Sequence, residues 1–370
     1  MTSSTLETKP HYMILDGLRG VAAIIVVAFH LFEAHSAGHL FQVINHGYLA
    51  VDFFFLLSGF VIGYAYDDRW NKMGLKDFFK RRLIRLQPMV IIGMVIGAIC
   101  FYFQGGAFWP MIDQTPVWKM LLIMLIGFTL IPVTPSMDIR GWDEMHPLNG
   151  PGWSLFFEYI GNLLYALFIR KFSNKLLTVL VVLSAAAVIH LTVMGPNGDV
   201  IGGWSVNREQ LSIGFSRLMY PFFAGLLLSR VAKLRSVKLA FPLCSLLLVI
   251  ALAMPRIGGE VLWKNGIYES IIIIIVFPII VYVGACGKII SKSGRGLCKF
   301  LGDISYPLYI THYPLIYIYT AWVYNHKVKL EQGWPIMIIT LFSAILIAFG
   351  CLKLYDEPVR VWLKRNFASK

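Results

Sequence analysis

The sequence predicts an all-α, polytopic membrane protein. Hydrophobic residues make up 57% of the 370 residues and charged residues only 14%, whereas soluble domains carry about 25% charged residues. Runs of roughly 17–25 mainly apolar residues, the length needed to cross a bilayer as a helix, recur from one end of the chain to the other. The alternating pattern of a membrane β-barrel is not seen in the sequence. A bundle of membrane-spanning helices is therefore expected.

Ten segments have the length and apolar character of a crossing helix. They are 17–35, 48–66, 82–103, 153–171, 176–194, 212–230, 239–254, 267–287, 304–324 and 335–354. An eleventh apolar stretch, 117–131, is shorter, contains Lys119 and is bounded by prolines. We expect it to form an interfacial or re-entrant helix. In the second span, Gly59 and Gly63 form a small-xxx-small pair that favours close helix contact.

The distribution of basic residues predicts the orientation of the chain. With ten spans and a cytoplasmic N-terminus, most of the 33 Lys and Arg residues lie on the cytoplasmic side, as the positive-inside bias requires. Both termini are then cytoplasmic, and the net charge of +13 does not indicate nucleic-acid binding. We expect a single domain over 1–370 that is embedded in the lipid bilayer, without an appended soluble domain. The oligomeric state is left open.

Arg19 and His30 mark the first span as functional. Eleven positions separate them, which in a helix is about three turns or roughly 16 Å on nearly the same face. Ionisable side chains within a membrane span are costly and persist mostly where they face a protein interior or an aqueous path. His30 is therefore the first candidate for a catalytic residue.

Four further ionisable residues within predicted spans are site candidates, and each has a structural alternative. Asp52 could be a carboxylate stabilised by a helix N-terminus, and Glu158 an ordinary first-turn carboxylate. Arg217 could extend to the outer interface, and His312 could bond a carbonyl freed by Pro314. The predicted topology brings all four to a depth similar to that of His30. A pocket between helices is the functional interpretation.

A cluster of arginines at the inner end of the third span predicts an anion site. Arg82 and Arg85 are separated by three positions and share a helix face, and Arg81 adds a third guanidinium. Guanidinium groups suit phosphate, although flanking charge or anionic lipid binding would give the same pattern. His35 and His39 have the spacing of a metal pair, but the sequence favours a solvated loop, and no metal is expected.

Five segments, taken in order, resemble the acyltransferase-3 family of integral membrane O-acyltransferases. They are LDGLRG with His30 (15–30), VDFFFLLSGF (51–60), RRLIRLQP (81–88), GWSLFFE (152–158) and ISYPLYITHYPL (304–315). Each motif alone is weak, whereas the ordered set is specific. Two positions depart from the family pattern: Thr311 replaces a usual aromatic residue, and Gln87 stands where Tyr often precedes the proline.

The resemblance implies transfer of an acyl group, most often acetyl from acetyl-CoA, to a hydroxyl of a saccharide or small-molecule acceptor. No tightly bound cofactor is implied, because acetyl-CoA is a co-substrate. The resemblance implies His30 as the catalytic histidine, with Glu158 and Asp52 as further catalytic candidates. It implies Arg19, Arg81, Arg82 and Arg85 for the donor, and Arg217, Tyr309 and His312 as other pocket candidates. It also implies a bacterial cytoplasmic membrane as the location.

The chemistry of acyl transfer assigns a general base. Imidazole changes its protonation near neutral pH and suits this role. A neighbouring carboxylate orients such a base, and we expect Glu158 or Asp52 to do so for His30. The alternative is a proton-coupled transporter, which also uses intramembrane ionisable groups, although the sequence shows no two-fold repeat.

Overall fold

A computed structural model describes residues 9, 11–36, 38, 41–233 and 236–367, and the regular structure of these residues is helical. The α-helices are α1 (Met13–Glu33), α2 (Ala50–Tyr66), α3 (Leu75–Cys100), α4 (Pro110–Gln114), α5 (Val117–Gly127), α6 (Gly152–Leu167), α7 (Asn174–Ile189), α8 (Arg208–Val231), α9 (Ala240–Ala253), α10 (Leu262–Ile271), α11 (Phe277–Cys286), α12 (Lys292–Thr311), α13 (Tyr313–Asn325), α14 (Leu330–Cys351) and α15 (Glu357–Phe367). Single π-helical turns extend α7, join α10 to α11 and join α14 to α15. His39 lies outside the described residues, so its predicted pairing with His35 is not addressed.

The protein is a polytopic helical membrane protein, as predicted. Seven segments of the described chain are both long and apolar enough to cross a membrane: Met13–Glu33, Gly47–Tyr66, Leu75–Gln104, Asn174–Met194, Arg208–Val231, Leu262–Cys286 and Leu330–Phe367. The other three predicted spans also coincide with helices. Of these, α6 has 16 residues, α9 has 14, and the third is divided between α12 and α13. The full number of ten crossings stays a prediction.

The apolar stretch predicted not to cross forms α5, which has 11 residues. At about 1.5 Å per residue, such a helix covers roughly half of a bilayer core. It runs beside α3, because Tyr102 donates a hydrogen bond to the Thr115 carbonyl before α5, and Gln87 donates one to the Phe128 carbonyl after it. The chain then turns back, and the Met145 amide donates to the Trp204 carbonyl at 2.7 Å. This course fits the prediction of an interfacial or re-entrant helix.

Glycines allow two helix pairs to approach closely around the site. A methyl group at Gly59 of α2 would lie 2.1 Å from the Phe222 carbonyl oxygen of α8, and one at Gly225 would lie 2.0 Å from the Leu56 carbonyl oxygen. The predicted small-residue contact of the second span is thus made against α8. On α1, a methyl group at Gly20 would lie 2.2 Å from the Leu301 carbonyl oxygen of α12. This contact holds α1 against the helix that leads to His312.

The connections gather at two ends of the bundle, in the grouping that the charge distribution predicts. At the predicted inner end, Arg230 binds Asp67 at 2.6 Å and the Phe172 carbonyl at 2.8 Å. At the predicted outer end, Arg256 binds Asp199 at 2.9 Å. Connections predicted to lie on the same side of the membrane thus contact one another, as expected if each span crosses in the predicted direction.

Cysteine labelling tests which end faces the cytoplasm. Single cysteines at Ser136, Asn197 and Ser293, all exposed, are introduced into a variant whose five native cysteines are replaced by alanine. A membrane-impermeant maleimide is expected to label the first two in intact cells and to label the third only after lysis. Labelling of Ser293 without Asn197 in intact cells would contradict the orientation.

Candidate active site

His30 is paired with a carboxylate from its own helix. Its Nδ1 lies 2.7 Å from Oε2 of Glu33, one turn later on α1. A carboxylate at this distance accepts a hydrogen bond, so Nδ1 carries the proton and the Nε2 lone pair of the neutral ring is available. The His30 side chain is 16% exposed. The pair therefore has the geometry of an oriented general base.

Glu33 was not predicted as a site residue. We expected Glu158 or Asp52 to orient His30, but the structure gives that contact to Glu33. The signal was present in the sequence, since residues three positions apart on a helix are neighbours. It was overlooked because Glu33 lies at the end of an apolar run, where a charged residue ordinarily marks the membrane interface.

His312 contributes a second oriented imidazole. Its Nδ1 lies 3.0 Å from the Leu308 carbonyl oxygen and 2.9 Å from that of Tyr309. Carbonyls only accept, so this nitrogen carries the proton. Its Nε2 is buried and, in the described part of the chain, lacks a hydrogen-bond partner. The carbonyl of Ile310, freed by Pro314, is bonded by Asn149 at 2.8 Å. His312 therefore bonds carbonyls at the end of α12, as its structural alternative predicts, while its Nε2 has no partner among the described residues.

The two imidazoles lie side by side. The ring centroids of His30 and His312 are 5.8 Å apart with 29° between the ring planes, and the Tyr313 ring meets His30 edge-on at 4.7 Å. Sequence reasoning placed both histidines in one pocket, and the structure brings them together. Two nitrogen lone pairs thus lie in one partly enclosed region.

Asp52 and Arg217 form a buried ion pair with each other. Nη2 of Arg217 lies 2.7 Å from Oδ2 of Asp52, and both side chains are at most 2% exposed. Arg217 also donates to the carbonyls of Tyr48 and Gly202 and lies over the Trp153 ring. It therefore does not extend to the interface. The pair ties α2 to α8 and to the connection before α8.

Glu158 lies nearer the arginine cluster than the histidines. Its Oε1 accepts hydrogen bonds from Arg82 at 2.8 Å and from Ser58 at 3.1 Å. The prediction that Glu158 lies at the same depth as His30 is thus wrong, because the chain before α6 enters the bundle. A methyl group at Gly97 of α3 would lie 2.2 Å from the Leu148 carbonyl oxygen. As a result, α6 begins below the level at which a full span would start.

A cavity of about 870 Å³ lies between α1, α2, α3, α6, α12 and α15. The predicted donor residues Arg19, Arg81, Arg82 and Arg85 line it, as do Glu158 and Tyr309. Arg19 is held by Ser305 at 2.8 Å. Arg81 and Arg85 are exposed to the cavity and form no ion pair or hydrogen bond with another described residue. His11 also lines the cavity, and a hydrogen bond with Asp16 raises the pKa of its imidazole.

Aromatic side chains close the other end of the cavity. Tyr309 bonds Ser154 through their hydroxyl oxygens at 2.7 Å, and its ring meets Phe54 edge-on at 5.3 Å. The Tyr309 ring centroid lies 6.0 Å from that of His312. Of the described residues, His30 is not among those that line the cavity. The closed end is therefore separated from His30 by the Tyr309 and His312 rings.

The fold and this arrangement define a helical membrane protein with a charged cavity between its helices, and comparison with known proteins gives the family. The model of the acyltransferase-3 family, described as an acyltransferase domain, matches residues 14–353. The chain belongs to this family and is a multi-pass membrane protein.

Its curated relatives are bacterial. The chain is 26% identical to the O-acetyltransferase OatA of Staphylococcus aureus, over 98% of this chain and 59% of the relative. It is 25% identical to the peptidoglycan O-acetyltransferase OatA of Listeria monocytogenes, over 97% of this chain and 57% of the relative. It thus spans about three fifths of the length of these OatA proteins. A shorter match covers protein 2 in the picA locus of Rhizobium radiobacter, at 30% identity over 48% of this chain. No solved structure matches the chain.

Proposed function

We propose that the protein transfers an acetyl group from cytosolic acetyl-CoA to a hydroxyl of a saccharide or related acceptor that approaches from the outer side. One observation carries this proposal: a single cavity has unpaired guanidinium groups at one end and closes at Tyr309, whose ring adjoins His312 and, beyond it, His30. Family membership supports acyl transfer, and the names of the OatA relatives support acetyl as the group and a glycan as the acceptor.

His30 acts as the general base in this mechanism. Nε2 takes the proton of the acceptor hydroxyl as its oxygen forms a bond to the thioester carbonyl carbon. The carbon–sulfur bond then breaks, and the same nitrogen returns the proton to the departing thiolate. Glu33 holds the ring and stabilises the imidazolium through the bond to Nδ1. The unpaired Nε2 of His312 offers a second acceptor for a donor group on a substrate.

The arginines divide into two roles. Arg82 is compensated by Glu158 at 2.8 Å, so it positions that carboxylate and shapes the wall of the cavity. Arg81 and Arg85 lack such a partner in the described chain and lie four positions apart, on one face of α3. We assign these two to the diphosphate of the donor, since an arginine fork bonds phosphate oxygens in pairs.

The acyl group must pass the closed end of the cavity to reach His30. Arg19 is at the cavity wall, and His30 lies about 16 Å further along the same helix. A long, flexible pantetheine arm suits this path. For a thioester to reach Nε2 of His30, the side chains of Phe54 and Tyr309 must rotate. We infer that donor binding moves them.

A transfer assay with the purified protein in nanodiscs tests the donor site. Radiolabelled acetyl-CoA is supplied with surface glycans extracted from a strain lacking the gene, and base-labile label on glycan is measured. Substituting both Arg81→Gln and Arg85→Gln is expected to raise the KM for acetyl-CoA tenfold or more, since each charge-assisted hydrogen bond contributes about 1.5–3 kcal/mol. The turnover number is expected to change less.

The matched control removes two other cations near the start of α3. Lys72→Gln with Lys76→Gln lowers the net charge equally, and neither residue lines the cavity. The KM of this control is expected to stay near the wild-type value. An unchanged donor KM in the Arg81 and Arg85 double variant would assign those arginines to lipid contact or topology. Absence of any acetyl transfer by the wild type would refute the proposed function.

A further inference from the structure

The charges that line the cavity are not evenly compensated. Seven Lys and Arg residues and five Asp and Glu residues line it. Four of the cations are ion-paired with lining carboxylates: Arg19 with Asp16, Arg82 with Glu158, Lys299 with Asp303 and Arg360 with Asp356. The remaining three, Arg81, Arg85 and Lys364, form no ion pair within the described chain. The cavity thus presents three cations that have no ion-pair partner in the described part of the chain.

Lys364 comes from a different helix than the two arginines. It lies on α15, which follows α14 through the π-helical turn Leu352–Asp356 and packs against α3. Asp356 is 1% exposed and binds Nε of Arg360 at 3.1 Å. This contact fixes the direction of α15. Arg360 and Lys364 are four positions apart, so both lie on the helix face that meets the cavity.

The side of α15 away from the cavity carries exposed apolar side chains together with a basic one. Val361 and Trp362 are 47% and 58% exposed, and Arg365 lies between them around the helix. Lys364 both lines the cavity and is exposed, so it lies at the rim of the cavity.

We propose that Lys364 binds the 3′-phosphate of the CoA donor. This inference rests on the proposed function. CoA carries two linked phosphates in its diphosphate bridge and a third, separate phosphate on the ribose. Adjacent arginines on one helix suit the linked pair, whereas a single cation on a facing helix suits the separate group. The lysine ammonium acts as a point charge toward phosphate.

The test compares CoA with 3′-dephospho-CoA, which differs only by that phosphate. Binding of each is measured by calorimetry on the full-length protein in nanodiscs at fixed salt. The wild type is expected to bind CoA about five- to tenfold more tightly than 3′-dephospho-CoA. This ratio lies between the affinity gain of an exposed ion pair and that of a buried charge-assisted hydrogen bond. Lys364→Gln is expected to remove this difference by weakening CoA alone. Lys364 is exposed, so the substitution leaves folding intact.

Lys299→Gln is the matched control, because Lys299 lines the same cavity but is paired with Asp303 at 2.6 Å. This variant is expected to keep the preference for CoA. Equal binding of the two ligands by the wild type, or equal weakening of both by Lys364→Gln, would overturn the assignment of Lys364. Failure of the wild type to bind either ligand would instead overturn the CoA donor, and the assignment with it.

Discussion

His30→Gln is expected to reduce acetyl transfer by about 10²–10⁴-fold, the usual contribution of a general base. Glutamine has a similar volume and keeps a polar group at the position, but it cannot take up a proton at neutral pH. His30 is only partly buried, so little packing is lost. The loss is expected in the turnover number, with an unchanged KM for acetyl-CoA and an unchanged unfolding temperature.

Two companion variants separate chemistry from structure. Glu33→Gln keeps a hydrogen-bond acceptor beside Nδ1 but removes the charge that stabilises the imidazolium, so an intermediate loss of turnover is expected. His326→Gln is the control, because His326 is exposed and bonds only a backbone carbonyl among the described residues. Turnover of His30→Gln near that of the control, at equal expression, would exclude His30 as the base.

The helices were predictable because a bilayer requires crossing segments to be long and apolar, and hydropathy measures this property along the sequence. Each of the ten predicted spans coincides with one or two helices, and the apolar stretch that includes Lys119 forms the short helix α5. The approach of Gly59 to α8 followed from residue size alone. Local pattern and membrane thickness are sufficient for features of this kind.

The depth of Glu158 was not predictable in the same way. Hydropathy locates a helix along the chain, but it does not show where the chain enters the bilayer. The connection before α6 packs against α3 at Gly97, and Glu158 consequently contacts Arg82. Its position depends on how a polar connection packs between helices, which a single sequence does not encode in a local pattern.

The partners of ionisable groups depend equally on tertiary packing. Asp52 and Arg217 are 165 positions apart, and each could be explained separately from the sequence as an interfacial residue. Only the contact between α2 and α8 shows that each compensates the other. The opposite holds for His30 and Glu33, whose pairing is local and could have been predicted from their spacing.

The ion pair of Asp52 and Arg217 yields the largest expected effect on stability. Asp52→Asn or Arg217→Gln alone leaves an uncompensated buried charge, and breaking such a pair costs about 3–5 kcal/mol. The double variant replaces both charges with amides that can still hydrogen-bond, so much of this loss is expected to be restored. Thermal unfolding in nanodiscs, followed by tryptophan fluorescence, measures all three variants against the wild type.

Turnover of the double variant then decides the role of Asp52, which the family resemblance placed among the catalytic candidates. The carboxylate is engaged by Arg217 at 2.7 Å, while Glu33 supplies the contact to His30. We therefore expect the double variant to regain acetyl transfer together with its stability. A variant that unfolds near the wild-type temperature but transfers no acetyl group would show that the Asp52 carboxylate takes part in the reaction. Unfolding and activity that fall and recover together would assign the pair to the architecture that holds α2 against α8.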